Sequence, residues 1–193
     1  MNSSKEFIRK NALTQRIEMS KAEVETKSIQ ITNIFFNSFD IQIFKSIHLF
    51  LPISKKNEIN TVHIIEKLRT DFKHCDIIIP KIISGSNDMK ALKLEGDTTF
   101  IENKWGIPEP VNASIYPTEK ISAMLIPLLA FDLKGNRVGY GKGFYDKFIS
   151  QCAPSCVKIG LSLSEPLNQI DAETHDQPLD FAITPLELYT FKK

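Results

Sequence analysis

The sequence predicts an α/β domain of three layers, with helices on both faces of a mostly parallel sheet. Three observations carry that reading. The runs Ile47–Leu51, Asp76–Pro80, Met124–Phe131, Val157–Leu161 and Phe181–Thr184 are short, strongly apolar and of the length of buried strands. Stretches with helical spacing separate several of them, and strands joined through helices pair in parallel with the helices packed on the sheet. The chain has 193 residues, 42% of them hydrophobic, enough for one such domain over residues 1–193.

Taken in order, Ser3 or Ser4 can cap a first helix whose Phe7, Ile8, Ala12, Leu13 and Ile17 form one apolar side. Ser20-Lys21-Ala22-Glu23 has the pattern of a capping box and begins a second helix that runs to about Phe36. Ile47–Leu51 is closed by Pro52, and Asn60 or Thr61 begins a helix through Ile64, Ile65 and Leu68. Met89–Glu95 reads as a strand. Trp105-Gly106-Ile107-Pro108-Glu109-Pro110 is irregular, because its prolines and glycine break both periods. Met124–Phe131 reads as one strand, followed by a glycine-rich turn and a helix from about Phe144 to Gln151.

Composition excludes several classes. Twenty-four basic residues against 23 acidic ones leave a formal charge of +1, which gives no support to a nucleic-acid partner. No apolar run approaches the roughly 20 residues that cross a bilayer. The polar start, Met1 to Glu6, does not read as a signal peptide. Cys75, Cys152 and Cys156 are odd in number and lack CxxC spacing, so free thiols in a reducing, cytoplasmic compartment are expected.

The most informative stretch runs from Asp132 to Asp146. Four of the chain's eight glycines (Gly135, Gly139, Gly141 and Gly143) lie in it. Such a loop, opening onto a helix, can aim backbone N–H groups at phosphate oxygens, and Arg137 and Lys142 add cationic donors. It is no Walker A loop, since Gly143 follows Lys142 where Ser or Thr is required, and Phe144 stands where GxGxxG needs glycine. The plain alternative is a flexible connection. Its place after a buried strand favours phosphate, because open α/β sheets bind ligands beyond the carboxyl ends of their strands.

Pro127-Leu128-Leu129-Ala130-Phe131-Asp132 through Gly143-Phe144-Tyr145-Asp146 closely resembles the signature of the 5-formyltetrahydrofolate cyclo-ligase family. Resemblance extends over nearly the whole chain and is weakest from about Ser84 to Glu102. It implies the NagB/RpiA/CoA-transferase-like fold and the ATP- and Mg²⁺-dependent conversion of 5-formyltetrahydrofolate to 5,10-methenyltetrahydrofolate. It places ATP against Lys5, Arg9, Arg137, Val138, Gly139, Tyr140, Gly141, Lys142, Gly143, Phe144 and Tyr145. Folate falls to Leu51, Glu58, Trp105 and the Tyr140–Phe144 stretch, catalysis to Arg137 and Lys142, and Mg²⁺ to Asp146 and Asp180. Phe144 replaces a tyrosine of some relatives, keeping the ring and losing the hydroxyl. A monomer acting on small molecules, with no nucleic-acid or membrane partner, is expected.

Each of these residues has a plainer reading when taken alone. Lys5 and Arg9, four apart, form a solvated basic edge, Glu58 is a loop carboxylate, Trp105 packs, and the two aspartates cap. Rival functions are a nucleotide- or folate-binding relative without turnover and an unrelated sugar-phosphate isomerase or acyl-transferring enzyme on a similar fold.

Overall fold

The computed structural model describes residues 4–83, 85–96, 98–102 and 108–191. Helix α1 is Lys5–Glu18, and Ser4 caps it by accepting from the Phe7 N–H (3.3 Å). Helix α2 is Lys21–Ser38, capped by Ser20, whose hydroxyl accepts from the Glu23 N–H (3.1 Å). The Glu23 carboxylate pairs with Lys27 one turn on (3.1 Å). Helix α3 is Val62–Asp71 and α4 is Phe144–Ile149.

The strands are β1 (Ser46–His48), β2 (Asp76–Ile82), β3 (Met89–Lys93), β4 (Phe100–Glu102), β5 (Pro108–Pro110), β6 (Ala123–Pro127), β7 (Ala130–Phe131), β8 (Arg137–Val138), β9 (Val157–Leu161), β10 (Phe181–Ile183) and β11 (Leu188–Thr190). Seven form the main sheet in the order β11-β10-β9-β6-β1-β2-β3. Strands β10, β9, β6, β1 and β2 pair in parallel, and β11 and β3 close the two edges antiparallel. β4–β5 and β7–β8 are separate antiparallel pairs.

Alternate residues of the strands feed two apolar layers. On one face Ile47, Ile77, Ile79, Leu125 and Ile159 pack against Ile31 and Phe35 of α2 and Ile64 and Leu68 of α3. On the other, Ile78, Met124, Ile126 and Ala182 meet Phe148 and Ile149 of α4. Each such side chain, taken fully from water, contributes roughly 1.5–3 kcal/mol. α1 lies elsewhere: its Ile8 packs on Ala130 and Val138 of the β7–β8 hairpin and on Ile170.

Four sequence expectations need correction. Pro108–Pro110, in the stretch expected to be irregular, is strand β5, drawn into a two-stranded pair by β4. The apolar run Met124–Phe131 is not one strand: after Pro127 pairs with Leu161, the Leu129 N–H turns to the Val138 carbonyl (2.8 Å) and the chain leaves the sheet. Ile47–Leu51 is strand only to His48, although the Leu49 N–H still reaches the Ile78 carbonyl (2.8 Å). The sheet also gains edge strand β11, whose three part-buried or exposed residues carry no apolar run for a sequence reading to find.

From β1 the chain crosses through α3 to β2 on one side, and from β6 it crosses through the hairpin and α4 to β9 on the other. The strand order therefore reverses between β1 and β6. Beyond the carboxyl ends of those strands is where this class of fold opens a crevice for ligands.

Candidate functional site

After β1 the chain passes Leu51, which packs partly buried on the α2–α3 core, and turns at Asn57. Asn57 sits at φ 49°, a left-handed conformation that asparagine tolerates. Its amide donates to the carbonyls of Arg16 (3.0 Å), Ile17 (3.3 Å) and Met19 (2.8 Å) at the carboxyl end of α1. The Lys21 ammonium donates to its side-chain oxygen (2.6 Å). The loop is thereby fixed to the end of α1.

Glu58 follows, only 6% exposed, and accepts from the Ile53 N–H (2.8 Å) and the Tyr140 hydroxyl (2.5 Å). Arg16, 5% exposed, donates to the same hydroxyl (3.2 Å) and to the Leu128 carbonyl. The Lys56 ammonium lies 4.3 Å from the centre of the Tyr140 ring, in cation–π contact. Burial pushes the Glu58 carboxyl above its ordinary range, and the Tyr140 bond, the Ile53 N–H and the charges of Arg16 and Lys56 oppose that rise. Burial and the neighbouring Glu58 charge raise the Tyr140 phenol, so it keeps its proton and donates. Arg16, Phe50, Glu58, Pro127, Leu128 and Leu161 line a tight crevice with no space of water size left between them.

The glycine-rich turn is built on Asp132. Fully buried, its carboxylate accepts from the N–H groups of Lys134 (2.9 Å), Asn136 (2.9 Å) and Ile170 (2.8 Å) and from the Asn136 amide (2.9 Å). Past the hairpin, Arg137 is 8% exposed and donates to the Gln177 carbonyl and to Oδ1 of Asp146 (2.8 Å). The Gln177 N–H reaches the same oxygen (3.2 Å). Arg9 of α1 lies along the turn, its Nε donating to the Gly139 carbonyl (3.0 Å). At Gly141, where φ is 79°, a Cβ would stand 2.8 Å from the Arg9 guanidinium carbon, so only glycine admits that arginine. Lys5, one turn earlier, pairs with Asp176 (2.5 Å) and Glu173 (3.3 Å).

Lys142 and Gly143 are exposed, and Lys142 makes no hydrogen bond or ion pair with a described residue. Phe144 and Tyr145 begin α4 part-buried. The Tyr145 hydroxyl is buried without a hydrogen-bond partner among the described residues, and burial together with the Glu58 charge raises its phenol. Val138 is buried under α1. Contacts thus link α1, the Glu58 loop and the glycine turn into one site holding Arg9, Glu58, Arg137, Tyr140 and Asp146, with Lys5 tied to the segment before Gln177. Asp180 stands at the start of β10, where its Oδ2 accepts from the Lys158 N–H (2.9 Å) and ammonium (3.2 Å). Trp105 lies outside the described residues.

A family model described as the 5-formyltetrahydrofolate cyclo-ligase family matches residues 1–185. The chain belongs to the 5-formyltetrahydrofolate cyclo-ligase family. It is 32% identical over 178 residues to a probable 5-formyltetrahydrofolate cyclo-ligase of Schizosaccharomyces pombe, covering 84% of this chain and 85% of that one. With the 5-formyltetrahydrofolate cyclo-ligase of Mus musculus it shares 28% identity over 193 residues, 93% of each chain. Its fold is that of the solution structure of an Aquifex aeolicus 5,10-methenyltetrahydrofolate synthetase (TM-score 0.83, 24% identity, 98% of this chain and 93% of that chain).

Within this cyclo-ligase family chain, sequence reasoning missed Arg16, Lys56 and Gln177. Arg16 had a usable signal: it lies seven residues after Arg9, two turns along one face of α1. Lys56 had none, because its partner is 84 positions away. Among the described residues no group of three His, Cys, Asp or Glu side chains is placed to hold a metal. Magnesium in a phosphate site takes one or two carboxylates and completes its shell with phosphate and water oxygens, and Asp146, beside the turn, is a carboxylate of the type such a site uses.

Proposed function

We infer that the protein is an ATP-dependent 5-formyltetrahydrofolate cyclo-ligase, converting 5-formyltetrahydrofolate to 5,10-methenyltetrahydrofolate with release of ADP and phosphate. The observation that carries this reading is the joining of Glu58 to the glycine turn through Tyr140. It sets a buried carboxylate suited to a folate ring beside a loop suited to a nucleotide's phosphates. Each Glu58 oxygen retains lone-pair capacity for N–H donors of a pterin ring. Leu51 and Trp105 complete the folate side, with Tyr140, Gly141, Lys142, Gly143 and Phe144 between the two ligands.

The triphosphate lies along residues 138–145 with Lys5 and Arg9 from α1. The formamide oxygen of the folate takes the terminal phosphoryl group of ATP, N10 attacks the activated carbon, and phosphate leaves as the five-membered ring closes. No covalent enzyme intermediate is needed, so the protein's work is alignment and neutralisation of charge. Lys142, exposed and free to move, meets the transferred group. Arg137, held by Asp146 and the Gln177 carbonyl, gives a fixed positive charge beside it. Asp146 holds Mg²⁺, which when bound offsets phosphate charge. Asp180 joins it only by leaving its pair with Lys158. The layered sheet is of the NagB/RpiA/CoA-transferase-like kind, and the protein acts as a cytoplasmic monomer on small molecules. No helix among the described residues is long and apolar enough to cross a membrane.

The test is to mix the protein with 5-formyltetrahydrofolate, Mg²⁺ and ATP and follow the near-ultraviolet absorbance of the methenyl product. Growth that vanishes without ATP, and in Asp146→Ala, is expected. A flat trace from folded protein that still binds both ligands would instead support a binding protein without turnover.

A further inference from the structure

The buried residues of α1 are Ile8 and Arg16. Ile8 packs on the hairpin as an apolar side chain should. A guanidinium on a buried helix face is costly to desolvate, and packing alone is better served by an apolar residue. Arg16, 5% exposed, engages three other segments. Its carbonyl accepts from the amide of Asn57, the residue before Glu58 (3.0 Å). One terminal nitrogen donates to the Leu128 carbonyl, just after β6, and the other to the Tyr140 hydroxyl of the glycine turn (3.2 Å).

We propose that Arg16 is a positioning residue for folate binding, acting through Tyr140 to fix the Glu58 carboxylate in its charged, ring-binding form. The proposal rests on the reading of Glu58 as the residue that receives the folate ring. The Tyr140 oxygen accepts from Arg16, so the phenolic proton is left for its other neighbour, Oε1 of Glu58. That bond, 2.5 Å long, has the length of an O–H donor on a charged carboxylate. The Ile53 N–H takes Oε2 (2.8 Å). With one donor fixing each oxygen, the carboxylate cannot rotate, and its remaining lone pairs have set directions.

Charge acts in the same sense. Among the described residues, the charged and titratable groups acting on Glu58 are Arg16 of α1, Lys56 of the loop after β1, Tyr140 of the glycine turn and Tyr145 of α4. Both phenols keep their protons. Burial raises the Glu58 carboxyl, and the two cations oppose that rise. Lys56 lies over the Tyr140 ring, whereas Arg16 bonds to the hydroxyl that reaches Glu58. Loss of Arg16 therefore moves the Glu58 titration to higher pH. A protonated Glu58 presents a donor where a ring N–H needs an acceptor, so folate affinity climbs with pH through that titration.

The experiment measures binding of 5-formyltetrahydrofolate by calorimetry, without ATP, at a series of pH values. Wild-type affinity should climb to a plateau. In Arg16→Gln the climb should lie at higher pH, so that along it the variant binds about ten-fold more weakly, and the gap should narrow on the plateau. Arg16→Lys, which restores the charge, should bring the climb back. A side chain that only packs would weaken binding equally at every pH. Tyr140→Phe keeps Arg16 and cuts its link to Glu58, so it should move the climb in the same direction, and it decides the matter if Arg16→Gln does not fold. A climb unmoved in either folded variant, or no climb in wild type, would overturn the proposal while leaving folate binding in place. Folded wild-type protein that binds no folate at any pH would overturn the folate reading and the proposal together.

Discussion

Tyr140 donates its phenolic proton to the buried carboxylate of Glu58 across 2.5 Å, and so ties the glycine turn after β8 to the loop after β1. The two residues are 82 positions apart and come from opposite sides of the point where the strand order reverses. Arg16 stands behind the pair, donating to the Tyr140 oxygen and to the Leu128 carbonyl. Each partner is polar and largely buried, so each is costly to leave unmatched. The position of the glycine turn is thus set in part by a carboxylate of the loop after β1.

Glu58→Gln separates stability from function. Burial raises the Glu58 carboxyl in the folded state, so folding favours its protonated form. The contribution to stability is then fully present below the unfolded value of about 4.3 and declines as pH rises through the folded value. Glutamine has no such decline. In urea titrations the variant should match wild type near pH 4 and exceed it by a margin that grows toward neutrality. Turnover of folate should fall about ten- to a hundred-fold, as expected for losing a hydrogen bond to a charged group worth about 1.5–3 kcal/mol.

The long apolar runs and the glycine turn were legible because each signal is local. Five parallel strands, the Ser20 cap and the helix through Ile64 and Leu68 follow from adjacent residues alone. The break at Leu129 was not legible, because it depends on the Val138 carbonyl across the hairpin rather than on any change in hydrophobicity. The site divided in the same way. Lys5, Arg9, Glu58 and Asp146 came from motif resemblance. The Asn57 amide that fixes the Glu58 loop on α1, and Lys56 over Tyr140, exist only once segments distant in sequence have met.

Gly141 and Gly139 should differ sharply when each is changed to alanine. At Gly141 the backbone is left-handed and a Cβ would stand 2.8 Å from the Arg9 guanidinium carbon. Arg9 is flexible and would give way, losing its bond to the Gly139 carbonyl, while the backbone itself costs about 1–2 kcal/mol. A Cβ on Gly139 meets nothing within 4 Å. Gly141→Ala should raise the KM for ATP about ten-fold, a loss near 1.4 kcal/mol of binding, and Gly139→Ala should change stability by no more than about 0.5 kcal/mol. Equal effects from both would show that Arg9 does not need the space at Gly141.

The two cations of the turn should separate in the same assay. Lys142 is exposed and makes no bond to a described residue, so Lys142→Ala should leave stability within about 0.5 kcal/mol of wild type while cutting kcat. Arg137 is buried and holds both Asp146 and the Gln177 carbonyl. Arg137→Ala leaves Asp146 with only the Gln177 N–H and strips the Gln177 carbonyl of its side-chain donor, and should cost about 3 kcal/mol of stability in addition to activity. Thermal melts beside steady-state rates distinguish the two, and an undiminished kcat in Lys142→Ala would remove it from the transfer step.

His48 gives the fold an acid limit independent of the site's carboxylates. It is fully buried on β1, its ring 4.9 Å from Phe148 and 6.1 Å from Tyr145, and neither nitrogen has a hydrogen-bond partner among the described residues. Burial depresses its pKa to about 3, so the folded protein holds it neutral through the range in which the unfolded chain charges it. Below about 6.5 the unfolded state binds the extra proton, and stability falls with pH until about 3. At pH 4 the loss from this residue alone comes to about 3 kcal/mol. His48→Leu, similar in bulk and without the ionisable ring, should lose less stability between pH 7 and pH 4 by about that amount, measured by urea unfolding. A variant whose acid decline parallels wild type would show that His48 reaches water, and the limit would then belong to another group.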